Sequence, residues 1–131
     1  MQLYLLIALG GALGSVLRFF LSTVFSSTHF GEVFPLGTLV VNVTGSFVIG
    51  FIFTFTGPDG RWFASAATRA FLMIGICGGY TTFSSFSLQT LGQLQRGEWL
   101  PAGANVVGSV VLCLVAVWLG HVFASLFASA R

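Results

Sequence analysis

The chain has 131 residues, of which 56% are hydrophobic and 6% charged. Soluble domains carry about a quarter charged residues, which excludes a water-facing surface over the whole molecule. The net charge of +2 rests on five arginines against three acids, with no lysine; so thin a charge excludes a basic nucleic-acid face.

A helix that crosses a bilayer needs about 20 apolar residues. Four windows of that kind follow one another, at about 3–25, 36–55, 66–94 and 102–127. They predict one four-helix transmembrane domain over residues 1–131. The windows are too long for barrel strands and lack two-residue alternation. The first has no positive region before it and no small-residue cleavage site after it. It reads as a retained helix rather than a signal peptide. Within it, Gly10 and Gly14 are spaced for close helix approach. Arg18 follows a long apolar run. It either snorkels to the headgroups or stands in the wet mouth of an anion path, drawing anions inward.

The second window follows "SSTHFGEVFP" (26–35) and contains "LVVNVTGSF". Asn42-Val43-Thr44 matches a glycosylation pattern, but the match is discarded because it lies inside a membrane helix. The Asn42 amide offers donors and an acceptor. It serves either a helix–helix hydrogen bond or a pore lining.

The third window follows "TGPDGR" (56–61), a strong turn. Its centre reads "GGYTTFSSFS" (78–87). Gly75, Gly78 and Gly79 each weaken a helix by about 1 kcal/mol relative to alanine. Thr81, Thr82, Ser84, Ser85 and Ser87 follow. In hydrocarbon an interrupted helix is tolerated only where it faces protein or water. The pattern therefore predicts two half-helices meeting near mid-membrane, as in many transport sites. Freed carbonyls would suit a hard monovalent cation, and a half-helix N-terminus with hydroxyls would suit an anion. Phe83 and Phe86 lie three apart on one helix face. Either they pack ordinarily, or their positive ring edges line an anion path.

The fourth window follows "QRGEWLP" (95–101). Asn105 and Ser109 share one face of it, and His121, near its end, reads as interfacial. Trp62 and Trp99 fall at window ends, where an aromatic belt lies. Cys77 and Cys113 read as packing thiols. No acid, base and nucleophile cluster suggests an enzyme.

Four spans put Arg61, Arg69 and Arg131 on one side, and Arg96 and Arg18 on the other. So small a bias barely specifies orientation. The chain inserts either one way or both ways, and the second case permits an antiparallel two-fold dimer. Four thin helices enclose little alone, which favours oligomerisation. Gly10/Gly14 and Gly75/Gly79 would let helices approach closely.

"GGYTTFSSFS" resembles the motif of the bacterial fluoride channels, the small dual-topology Fluc family, whose consensus is close to G-G-x-T-T-F-S-T-F-S. "GGALGSVLRF" is similar to that family's G-x-x-G-x-x-x-R pattern. "FPLGTLVVNVTGSFVIG" matches its G-T-L-x-V-N motif, and "GSVVLCLVAVWLG" is similar to its fourth helix. The resemblance covers nearly the whole chain. It implies an all-α membrane protein whose third helix is broken near its centre, assembled as an antiparallel dual-topology homodimer with two pores. It implies passive fluoride export across the bacterial inner membrane. A structural sodium ion would sit at the dimer centre, on the backbone carbonyls of Gly78 and Thr81. Phe83, Phe86 and Asn42 would line the fluoride pore and Arg18 its vestibule. Ser84, Ser85 and Ser109 would form a polar track, with Thr82 in support.

Two positions depart from the family pattern. Gln89 stands where a glutamate is common, which changes the charge at the mouth. Asn105 stands where a small residue is common, which adds a donor or narrows the path. Two other readings compete. A proton-coupled cation exporter needs a membrane-embedded carboxylate, but Glu32, Asp59 and Glu98 all fall in loops. A non-transporting assembly subunit would use the polar groups only for packing.

Overall fold

The computed structural model describes residues 1–27, 34–58 and 60–128. Glu32, Asp59 and Arg131 lie outside the described residues. Helix α1 (Gln2–Ser26) is followed by α2 (Leu36–Phe55). The third span begins with α3 (Ala66–Arg69), widens into a π-helical stretch (Ala70–Cys77) and continues as α4 (Gly78–Tyr80). Beyond Thr81 and Thr82 come α5 (Phe83–Gln95) and then α6 (Trp99–Ala128). The runs Gln2–Ser26, Leu36–Phe55, Ala66–Gln95 and Trp99–Phe127 are each long and apolar enough to cross a membrane.

The buried core is small and built from small side chains: Ala64, Cys77, Ala102, Ala116 and Ala124 accompany Val41, Tyr80 and Phe86. Large apolar residues point outward instead, among them Leu13, Phe20, Leu88 and Leu114. That inversion suits lipid, where helices gain by close backbone approach rather than by hiding apolar surface from water.

Glycine provides the approach. A Cβ on Gly10 would lie 2.8 Å from the Phe71 carbonyl oxygen and 3.0 Å from the Gly75 Cα. The Gly10/Gly14 and Gly75/Gly79 pairs therefore meet within one chain, joining α1 to the first half of the third span. The most extensive helix pair is α2 with α6. There Gly50 lies against the Val117 carbonyl and Gly120 against that of Phe47.

Helix ends show local causes. Ser65 caps α3 by accepting the Thr68 N–H at 3.1 Å. Arg69 Nη1 donates to the Phe53 carbonyl at 3.2 Å and to Thr56 Oγ1 at 2.7 Å. Its guanidinium also sits 5.4 Å from the Phe53 ring centroid. A cation at the end of α2 complements the dipole of that helix. Helix α5 stops at Gly97, whose φ of +78° suits glycine. The Glu98 N–H reaches back to the Gln93 carbonyl at 2.9 Å, and that of Gly97 to Leu94 at 3.0 Å, a Schellman stop. In this loop Arg96 Nε pairs with Glu98 at 2.9 Å. The hydrogen bond from Arg96 holds the Glu98 carboxyl below its usual range.

Helix α6 begins at Trp99, ahead of the expected start at 102. Pro101 lies in the first turn, where its missing N–H would have had no helical partner. Trp62 and Trp99 are both exposed at span ends.

Candidate functional site: grooves at the centre of the third span

The widened turns place the Gly78 N–H on the Met73 carbonyl, five residues back. Such turns often mark functional sites. After Tyr80 the backbone extends: Thr81 has φ −80° and ψ 156°, and Thr82 φ −149° and ψ 109°. Extended residues lose their helical partners, so each polar group needs another.

Asn42 provides two of them. Its Oδ1 accepts the Thr82 N–H at 2.8 Å, and its Nδ2 donates to the Thr82 carbonyl at 3.1 Å. The side chain thus pairs with Thr82 as a neighbouring peptide would. It makes a helix–helix hydrogen bond while also lining a groove. The two readings of its sequence are compatible, since one proton on Nδ2 remains beyond the bond to Thr82.

Thr82 also caps α5. Its Oγ1 accepts the Ser85 N–H at 3.2 Å and donates to Ser85 Oγ at 3.0 Å. These bonds redirect two donors. In an uninterrupted helix the Thr82 N–H would serve the Gly78 carbonyl, and the Ser85 N–H that of Thr81. Both donors turn elsewhere, so the carbonyls of Gly78 and Thr81 are without their helical donors.

Two grooves lie around Thr82. One, of about 400 Å³, is lined by Asn42, Thr82, Phe83, Phe86 and Ser109, with Gly45 and Thr81 beside them. The rings of Phe83 and Phe86 are 5.2 Å apart at 50° to each other. Phe86 is 8% exposed and Phe83 77%, so one ring is packed into the chain and the other stands out from it. The second groove, of about 430 Å³, is lined by Arg18, Thr82, Ser85 and Gln89. Thr82 belongs to both.

The expected residues are thus divided. Asn42, Thr82, Phe83, Phe86 and Ser109 come together, whereas Arg18 and Ser85 join only through Thr82. Ser84 is exposed and outside both linings, with its hydroxyl 3.3 Å from Thr82 Oγ1. Gly78 is exposed, and a Cβ there would have only the Met73 carbonyl oxygen within 4 Å, at 3.7 Å.

Asn105 is 2% exposed and sits behind the groove wall. Its Nδ2 donates to Thr90 Oγ1 at 2.8 Å. Sequence reasoning passed over Thr90; its spacing of four from Phe86 was the available signal. His121, read as interfacial, bonds Thr54 Oγ1 through Nδ1 at 2.8 Å.

Fold and site together define a class: an all-helical protein with four runs long and apolar enough to cross a membrane, and polar and aromatic grooves beside the extended residues Thr81 and Thr82. Comparison with known proteins carries this further. Residues 5–121 match the family described as CrcB-like protein, Camphor Resistance (CrcB). The chain is similar to the "Fluoride-specific ion channel FluC" of Opitutus terrae, 65% identical over 124 residues, covering 95% of this chain and 93% of that one. It is similar to the protein of the same name from Paramagnetospirillum magneticum, 58% identical over 126 residues, covering 96% and 98%. That from Rhodospirillum rubrum is 60% identical over 123 residues, covering 94% and 95%. The chain belongs to this CrcB/FluC family.

Proposed function

We propose that the chain is a fluoride-selective channel of the bacterial inner membrane, exporting the ion passively and so lowering cytoplasmic fluoride. The observation that carries this reading is the groove at Thr82. It brings an amide, hydroxyls and two aromatic rings to one place, at the N-terminus of a half-helix. Fluoride is small and strongly hydrated. A path for it must replace water with convergent donors, and the reading is supported by Asn42 Nδ2 and the Ser109 hydroxyl, which belong to residues lining the groove. The rings of Phe83 and Phe86 add positive edges. Arg18 in the second groove would draw anions toward Thr82 and Ser85. The similarity to proteins named as fluoride-specific channels supplies the identity of the ion.

The working unit is an antiparallel dual-topology homodimer. The 77% exposure of Phe83 leaves that ring open to a second copy. A sodium ion at the two-fold axis fits the interruption, because the Gly78 and Thr81 carbonyls are without their helical donors and Gly78 is open. A hard monovalent cation takes such oxygen ligands. It would supply fixed positive charge there, with the carbonyls of both copies holding it.

Transport in this reading is driven by voltage alone, at about 2.3 kcal/mol per charge per 100 mV. Purified protein in liposomes, with a potassium gradient and valinomycin but no pH gradient, should release fluoride at once. Release only when a proton gradient is imposed would favour a coupled exporter instead.

A further inference from the structure

The usual partner of a serine or threonine hydroxyl in these spans is the backbone carbonyl four residues back. Ser46 donates to Asn42 at 2.7 Å, Thr54 to Gly50 at 3.1 Å and Ser87 to Phe83 at 2.9 Å. Ser109 departs from that habit. Its hydroxyl goes to the side chain of Asn105, and at 3.3 Å the bond is long for an O–H donor.

The direction of this bond is fixed from the far end. Thr90 Oγ1 donates to the Phe86 carbonyl at 2.8 Å. A hydroxyl has one proton, so Thr90 can only accept from Asn105, whose Nδ2 lies 2.8 Å away. Asn105 must then turn its Oδ1 toward Ser109, and Ser109 must donate. The line runs one way: Ser109 to Asn105, Asn105 to Thr90, Thr90 to Phe86. Ser109 and Phe86, its two ends, line the groove. Asn105 is 2% exposed, behind the wall.

We infer that Asn105 is a positioning residue for anion passage. It holds the Ser109 proton on a long, weak bond and so keeps it available to an ion in the groove. With no side-chain acceptor at position 105, the hydroxyl would settle on the backbone carbonyl there, as Ser46, Thr54 and Ser87 do on theirs. That shorter bond would withdraw the donor from the path. Thr90 acts one step further back, by fixing which end of the amide Ser109 meets. The inference rests on the channel reading above and assigns a role to a side chain that touches no ion.

The test is a double-mutant cycle on fluoride efflux from liposomes, scaled to the amount of folded dimer. Asn105→Ala and Ser109→Ala should each lower efflux by about tenfold, the loss of one hydrogen bond to an ion. The double variant should fall no further than either single one. Thr90→Val keeps its shape but lets the amide turn, and should show the same lack of additivity with Ser109→Ala. It stands in where Asn105→Ala fails to fold. Unchanged efflux per folded dimer in Asn105→Ala or Thr90→Val would overturn the inference, as would losses that multiply with that of Ser109→Ala. Absence of efflux from the unaltered protein would instead overturn the channel reading, so the two failures are distinct.

Discussion

Asn42 and Thr82 form a two-point pair: Oδ1 takes the Thr82 N–H at 2.8 Å and Nδ2 gives to the Thr82 carbonyl at 3.1 Å. This one side chain makes the extended backbone at Thr82 tolerable inside a membrane, where unpaired peptide groups are costly. It also stands in the groove with Phe83 and Phe86. In the channel reading proposed above, folding and ion passage share this residue, and substitutions there should affect both.

Asn42→Ala leaves the two backbone groups of Thr82 without those bonds. A buried group without its partner costs about 1–3 kcal/mol. The melting temperature of the purified protein should fall accordingly. Asn42→Asp keeps the acceptor for the Thr82 N–H but opposes the Thr82 carbonyl and puts a negative charge beside the path. Fluoride efflux should fall by more than about tenfold, the scale of one lost hydrogen bond to an ion, in whatever folded protein remains. Thermal melting and efflux on the same preparations separate the two effects.

The phenylalanines should divide along their burial. Phe86, at 8% exposure, is part of the chain's own core, whereas Phe83 is 77% exposed. Truncating a buried phenylalanine costs about 3–5 kcal/mol. Phe86→Ala should thus lower stability more than Phe83→Ala, while both lower fluoride efflux. Equal melting with unequal efflux would contradict the assignment.

Glycine contacts give a paired prediction of opposite sign. Gly10→Ala would press a methyl against the backbone at Phe71 and Gly75. Overpacking of this kind costs about 1–3 kcal/mol. A Cβ at Gly103 would meet nothing within 4 Å, so Gly103→Ala should stabilise α6 by up to about 1 kcal/mol through helix propensity. Melting temperatures of the two variants should move in opposite directions from the unaltered protein.

The sodium reading predicts that exchange into a bulky organic cation inactivates the channel slowly, as the ion leaves the Gly78 and Thr81 carbonyls, and that sodium restores it. Full activity after prolonged exchange would contradict it.

The four spans were visible in the sequence because membrane helices must be long and apolar, and their ends carry Gly, Pro and Trp. Helix α6 begins at Trp99, inside the stretch between windows, because Pro101 is accommodated in its first turn. The glycine pairs were visible as pairs, but spacing alone does not say which helix faces which. They join α1 to its own third span. The candidate site was marked in the sequence by a cluster of glycines and hydroxyls around Phe83 and Phe86, and those two rings line one groove. The partition into two grooves was not, because it depends on how α1 and α2 lie against Thr82. Thr90 went unnoticed for the same reason: its hydrogen bond comes from Asn105 on another helix.

The central claim is selectivity, and competing efflux measures it most directly. Liposomes holding the purified protein and loaded with equal fluoride and chloride should release fluoride rapidly under a voltage set by valinomycin, while chloride stays inside over the same interval. Chloride leaving as fast as fluoride would contradict the account.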